Sequence, residues 1–216
     1  MLKGVAIVSM TIDHIGVVLY PEFTFLRIVG RLALPLFSYL IVLGIKSTRD
    51  AWRYFTRLFV FALISQVPYY LALEETPFAS FNVFFTLALG VLILIFYERR
   101  SQLILVPIVV SAMLMIYFHY NPYGLVLIVC MYLLEQHPAY GVVTTLVLNT
   151  LFLPLWAVQF YSVLALPFIL LHLRSSSRQR SEAAHRYVYP LWRRYFFYLY
   201  YPFHLSMLYI IRLSYS

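Results

Sequence analysis

Charge is what this chain of 216 residues has least of: Asp, Glu, Lys and Arg make up only 11% of it, against 63% hydrophobic residues and a mean hydropathy of +0.83. Soluble domains carry about 25% charged residues. So little polar surface cannot cover a water-soluble globule, and the chain reads as a polytopic membrane protein. Cysteine is nearly absent as well. The single Cys130 excludes an internal disulfide and any cysteine-rich metal site. Its apolar neighbours make it a small core residue. Nucleotide and hydrolase signatures are missing: there is no GxxxxGK[ST], GxGxxG, HExxH or GxSxG. P-loop NTPases, dinucleotide enzymes, zincins and serine hydrolases therefore find no support. No internal repeat, low-complexity tract or second domain is visible, so residues 1–216 read as a single membrane domain.

What is present is aromatic and apolar. The 20 Tyr, 18 Phe and 3 Trp suit membrane interfaces and packed bundles. Apolar runs predict helical spans over Leu2–Tyr20, Leu26–Lys46, Trp52–Leu73, Asn82–Tyr97 and Leu103–Phe118. Gly124–Leu134 is half a span, re-entrant or packed inside the bundle, and Gly141–Leu173 is broken near Pro154 into two short helices. Arg174–Arg194 is the one long polar loop, and Tyr195–Leu213 is the last span. The first run could pass for a signal peptide, but it carries Asp13 and His14 and lacks a small-x-small cleavage pattern, so it reads as a retained helix. With the amino end cytoplasmic, inside loops hold 13 of the 16 Lys and Arg residues. Outside loops hold Glu22, Glu74 and Glu75. That asymmetry predicts an all-α bundle of about nine transmembrane helices. It also accounts for the net charge of +8 without nucleic acid. The lipid bilayer is the partner the composition requires.

The polar residues inside the spans carry the chemistry. The stretch Met10-Thr11-Ile12-Asp13-His14-Ile15-Gly16 places a carboxylate and an imidazole in an apolar helix, where charged groups cost about 2.5–3.5 kcal/mol. A rise of about 1.5 Å per residue puts His14 about 9 Å below the outer end of its span and Arg31 about 7–8 Å. Gln66, Asn82 and Thr86 fall in the outer halves of theirs, and His204 near the middle of the last. Five helices thus contribute polar groups at one level, which predicts a polar cavity reached from the outer face or the centre. Asp13 and His14 point about 100° apart, so they cannot face one spot. Asp13 reads as a structural partner of Arg31 or of a helix neighbour. A lone imidazole has little packing value in lipid, and His14 reads as functional. His204 follows Pro202, whose missing N–H loosens the helix. Gln66 and Asn82 read as interhelical hydrogen-bonding residues as well as cavity candidates. His119, His137 and His185 fall in loops, and His172 near a helix end.

Arg49, Arg53 and Arg57 recur every four residues, forming a cationic ridge at a helix start. By itself the ridge is explained by topology and anionic headgroups; guanidinium forks also match phosphate, as in a phosphorylated cofactor on the inner side.

These residues resemble the TraX family, whose founding activity is N-terminal acetylation of conjugative F-type pilin. The likeness rests on Lys3-Gly4-Val5-Ala6 with Met10–Gly16, and on Gly30-Arg31-Leu32-Ala33-Leu34-Pro35-Leu36-Phe37. It continues through Gly44, Thr48-Arg49, Tyr54, Arg57-Leu58 and Asn82 with Thr86, and closes with Tyr201-Pro202-Phe203-His204-Leu205. Residues 100–190 contribute little. Leu43 departs from the pattern, since many members carry an acidic residue there. The family resembles the wider group of transmembrane acyltransferases, including heparan-alpha-glucosaminide N-acetyltransferase. The resemblance implies a bacterial inner membrane, acetyl-CoA as donor and no metal. It implies an acceptor outside, a pilin amino end or a glycan. It makes His14 the general base, Arg31 or Asn82 the oxyanion stabiliser, Asp13 the support of Arg31 and His204 a member of the site. Arg49, Arg53, Arg57, Arg99 and Arg100 would meet the CoA phosphates. Two other readings use the same residues: a small-solute transporter or flippase, and an assembly factor without a reaction site. Oligomeric state, the acceptor's identity and an acetyl-histidine intermediate stay open at this stage.

Overall fold

The structure is a computed structural model that describes residues 2–73, 80–118, 122–155, 157–180 and 191–215. His119, His185, Glu74, Glu75 and Arg186 lie outside the described residues. Among the described residues every element is helical. The helices are α1 (Leu2–Val18), α2 (Thr24–Gly30), α3 (Ala33–Ser47), α4 (Ala51–Leu73), α5 (Val83–Glu98), α6 (Leu105–Phe118), α7 (Tyr123–Gln136), α8 (Pro138–Phe152), α9 (Leu166–Arg180) and α10 (Leu191–Tyr215). A short 3-10 turn spans Gln102–Ile104 and a longer 3-10 helix spans Ala157–Ala165.

Proline writes the breaks. Pro35 has no N–H for the carbonyl of Arg31, four residues earlier, and its ring crowds that carbonyl. The chain accordingly changes course at Arg31 and Leu32, between α2 and α3. Pro154 lies in the turn after α8. Pro68 and Pro202 are carried inside α4 and α10. Two boundaries differ from the sequence reading. The helix α9 runs to Arg180 and α10 starts at Leu191, so the polar stretch expected as loop from Arg174 to Arg194 is helical at both ends. That stretch is polar but free of Gly, and helix propensity depends on side-chain and backbone freedom rather than on apolarity.

This is a helical membrane protein. Thr24–Ser47, Ala51–Leu73 and Ala157–Ser175 are long and apolar enough to cross a bilayer. The outward face of α4 shows what surrounds them: Leu63, Ile64 and Val67 are each more than half exposed. Such a stripe is intolerable in water and ordinary in lipid. Lipid tails are as apolar as leucine, so close packing rather than water exclusion holds helices together. Small residues permit it. A β-carbon on Gly44 would meet the Tyr54 hydroxyl at 2.6 Å, and one on Gly141 would overlap the Leu134 backbone.

The α7 helix packs against α3, α5 and α8, α10 packs against α4 and α1, and α1 lies on α2 and α3. Side-chain pairs set the helix directions. Trp52 meets Phe96, Lys46 pairs with Glu135, and the Tyr132 hydroxyl donates to Glu98 at 3.5 Å. The start of α4 and the ends of α3, α5 and α7 therefore share one end of the bundle. Arg49, Arg53, Arg57, Arg99 and Arg100 gather there; it is called the arginine end below.

Candidate active site

Asp13 and His14 leave α1 for different helices, as the helical turn of about 100° per residue requires. Asp13 turns to α2 and α3. Its Oδ1 accepts from Arg31 Nη2 at 2.9 Å and lies 3.6 Å from Arg27 Nη1. Gly30 makes the room, because a β-carbon there would overlap the Asp13 carboxylate. One turn earlier Ser9 donates to the Val29 carbonyl at 2.6 Å, so the α1–α2 seam is polar over two turns. Arg31 spends its other donors on the Gln159 Oε1 at 3.0 Å and the Arg27 carbonyl at 3.4 Å. Its guanidinium is thus held from three sides at the bend that Pro35 makes. Gln159 stands on the 3-10 helix, 8% exposed, and its Nε2 has no hydrogen-bond partner among the described residues. Close by, Ser162 donates to Asn149 Oδ1 at 2.7 Å and stands 2.8 Å from the Tyr123 hydroxyl.

His14 turns the other way, to α10. Its Nδ1 lies 2.7 Å from His204 Nε2, and one turn toward the helix starts Thr11 Oγ1 lies 2.7 Å from the Tyr200 hydroxyl. Two parallel helices are tied by two polar rungs. The His204 ring lies nearly parallel to those of His14 (24°) and Tyr200 (12°), and Tyr201 meets both histidines edge-on. His204 is 5% exposed, while His14 is only partly buried.

One further bond sets the protons. His204 Nδ1 is 2.9 Å from the Tyr200 carbonyl oxygen. A carbonyl only accepts, so Nδ1 carries the hydrogen. In the neutral ring Nε2 is then an acceptor, and the donor facing it must be His14 Nδ1–H. That leaves His14 Nε2 bearing a lone pair, and this atom makes no hydrogen bond among the described residues. Among the described residues no carboxylate backs the pair. A backbone carbonyl orients it, whereas Asp13, next to His14 in sequence, is committed to arginines.

The remaining sequence candidates divide into two groups. Asn82 and Gln66 are joined and fully engaged. Asn82 Oδ1 caps α5 by accepting from Phe84 N at 3.0 Å. Its Nδ2 donates to the Ala62 carbonyl at 2.7 Å and to Gln66 Oε1 at 2.8 Å, and Gln66 Nε2 donates to the Ser80 carbonyl at 2.7 Å. Thr86 lies against Gly124 of α7. At the arginine end, Arg53 pairs with Asp50 at 3.0 Å with its side chain 83% exposed. Arg49 and Arg100 are exposed, and Arg99 lies 5.8 Å from the centre of the Trp52 ring. Arg57 is the inward one: it sits 5.8 Å from the Tyr54 ring centre, and its buried Nε has no hydrogen-bond partner among the described residues. His137 is exposed and His172 half-buried against Tyr39. Four phenylalanines, Phe55, Phe59, Phe81 and Phe85, line a cavity of about 220 Å³ between α4, α5 and α6. No histidine, arginine or carboxylate lines it, so it has no part in the site.

Sequence reasoning passed over Gln159, Asn149, Tyr200 and Arg27 as site residues. Gln159 and Asn149 carry the same signal as Gln66, an amide in an apolar run.

A family model described as TraX protein matches residues 1–212. An uncharacterised protein of Rickettsia prowazekii is 35% identical over 101 residues, covering 47% of this chain and 38% of that protein. A probable fimbrial assembly protein FimC, serogroup H1, of Dichelobacter nodosus is 34% identical, covering 46% of each chain. Protein TraX of Escherichia coli is 33% identical over 103 residues, covering 46% of this chain and 40% of that one. The chain thus spans less than half the length of the curated relatives it matches. No solved structure matches it.

Proposed function

The chain belongs to the TraX family, and from that premise we propose that it is an integral membrane acetyltransferase. It moves an acetyl group from acetyl-CoA to an amine or hydroxyl presented at the membrane. The observation that carries the reading is the histidine pair: the Tyr200 carbonyl orients His204, His204 orients His14, and His14 Nε2 is left as a base. The likeness to a probable fimbrial assembly protein favours a pilin amino end as acceptor.

The chemistry balances at these atoms. The acceptor nitrogen attacks the thioester carbonyl carbon and gives its proton to His14 Nε2. An α-amine has a pKa of about 7.7–8, so modest basicity suffices. The tetrahedral intermediate then breaks its C–S bond, and the departing CoA sulfur takes the proton back from His14. Arg31, fixed by Asp13 and Gln159, supplies positive charge for the oxyanion. In this reading the chain crosses the bacterial inner membrane nine times with its amino end cytoplasmic, and the arginine end faces the CoA pool. The unpartnered Nε of Arg57 and the exposed Arg49, Arg53, Arg99 and Arg100 would receive the phosphates. His14 lies eleven residues above Lys3, about 16 Å up the helix, a span suited to an extended pantetheine arm.

Purified protein given acetyl-CoA and a peptide amine should release free CoA, and His14→Ala should stop release while leaving a folded, monodisperse protein. Undiminished release by that variant removes His14 from the mechanism. A wild-type protein that neither releases CoA nor gains thermal stability from it is not an acetyltransferase, and solute movement through the same region becomes the better account.

A further inference from the structure

The phenylalanine cavity has no part in the histidine site, yet it does not stand alone. It lies at the end of a lane of aromatic rings that starts at the arginine end. Arg99 lies 5.8 Å from the centre of the Trp52 ring. From Trp52 the ring centres follow one another to Phe55 at 6.1 Å, Phe59 at 5.9 Å, Phe85 at 6.0 Å and Phe81 at 5.0 Å. The last four rings line the cavity, together with Ala88 of α5 and Val110 of α6. Measured along α5 at about 1.5 Å per residue, Ala88 and Phe85 are about 16–21 Å from Arg99. One leaflet of a bilayer is about 15 Å of hydrocarbon. A lipid with its headgroup at Arg99 therefore ends its chains at the level of the cavity.

The lining says what kind of group fits. Phenylalanine, alanine, leucine and valine are all it contains. Water does not fill a space without polar partners, and an empty one forfeits the dispersion contacts of its walls. Phe59 and Val110 at its edge are 41% and 39% exposed, so the cavity opens to the outside of the bundle, where lipid is. The α6 helix packs chiefly on α5 and on the 3-10 turn before it, which leaves that side open. The other end of the lane is cationic. Arg99 is exposed and makes no ion pair among the described residues. Tryptophan favours the headgroup level, a guanidinium fork matches phosphate, and basic residues at a membrane face draw anionic lipid. We propose that the lane from Arg99 to Phe81 is a site for an anionic phospholipid, with its phosphate on Arg99 beside Trp52 and one acyl chain ending in the phenylalanine cavity. The chain would fasten α6 to α4 and α5. This goes beyond the acetyltransferase reading and does not depend on it. It assigns Arg99 to lipid and leaves Arg49, Arg53, Arg57 and Arg100 to the cofactor.

The test offers the whole chain, purified in detergent, dioleoyl phosphatidylglycerol or dioleoyl phosphatidylcholine, which share chains and differ in charge. Native mass spectrometry reads the lipid retained. The wild type should hold the anionic lipid about fivefold better, the effect of one basic residue at an anionic surface. In Arg99→Gln the ratio should fall to about one. Val110→Trp and, independently, Leu89→Phe fill the cavity and should lower retention of both lipids. In the wild type dioctanoyl phosphatidylglycerol, whose chains are too short for that depth, should bind at least fivefold more weakly than the dioleoyl lipid, and the filled variants should erase that difference. Equal retention of the two headgroups by the wild type, or an unchanged ratio in Arg99→Gln, means boundary lipid only and overturns the site. Full retention by a folded filled variant, or equal retention of short and long chains, overturns the cavity as the chain's seat. An Arg99→Gln protein that keeps its lipid preference but shows a raised KM for acetyl-CoA returns Arg99 to the cofactor. None of these outcomes bears on whether the wild type releases CoA, so the acetyltransferase reading stands or falls separately.

Discussion

The clamp at Asn82 and the pair at His14 are both polar contacts between helices in an apolar bundle, yet they end differently. Each side-chain nitrogen and oxygen of the clamp has a partner inside the protein: Asn82 caps α5, holds an α4 carbonyl and binds Gln66, which holds Ser80. The histidine pair is closed at one end by the Tyr200 carbonyl and open at the other, at His14 Nε2. A closed cluster spends its bonding on helix–helix order. An open one keeps an atom for something that arrives. In lipid, where water cannot satisfy a stray polar group, the unsatisfied atom is the informative one.

That contrast can be broken by substitution, the largest effect first. His204→Ala removes the acceptor that fixes the His14 tautomer and should lower turnover by about 100-fold or more. His204→Gln, whose side-chain oxygen can accept from His14 Nδ1–H, should recover part of it; no difference between the two variants in CoA-release kinetics would detach the tautomer from the rate. Gly30→Ala places a methyl on the Asp13 carboxylate and should destabilise by about 3 kcal/mol, seen as a lowered unfolding midpoint in detergent, because the Asp13–Arg31 pair must separate. Asn82→Ala loses the α5 cap and two side-chain hydrogen bonds to α4, to the Ala62 carbonyl and Gln66 Oε1, for about 2–3 kcal/mol on the same measurement. A large loss of turnover without loss of stability in that variant would erase the distinction between closed and open clusters. Tyr200→Phe is the mildest. It removes the rung to Thr11 at about 1 kcal/mol, and it should barely change turnover, since the carbonyl of Tyr200 and not its phenol orients His204.

Much of this was legible in the sequence because polar residues are conspicuous in apolar runs. Asp13, His14, Arg31, Gln66, Asn82 and His204 stand out for that reason. That Asp13 and His14 serve different neighbours follows from the helical turn, and the bend at Arg31 follows from Pro35. The ends of α9 and α10 were misjudged because polarity was read as loop, though nothing between Arg174 and Arg180 breaks a helix. Gln159 was missed because a long apolar run around it drew attention to crossing length instead of to its amide. The ion pair of Arg27 with Asp13 could not be seen at all, since a guanidinium's partners come from other helices.

Composition and the apolar runs by themselves determined that this chain is helical, lives in a membrane and sets a few polar side chains inside its apolar helices. Those properties depend on residue type and on neighbours a turn away. Only the tertiary structure decided which polar groups meet. His14 and His204 are 190 residues apart, and their hydrogen bond exists because α1 and α10 pack in parallel with one register. That register also decides which ring is held and which nitrogen is left free among the described residues. Pairing between distant helices is a property of packing, and no local rule of sequence contains it.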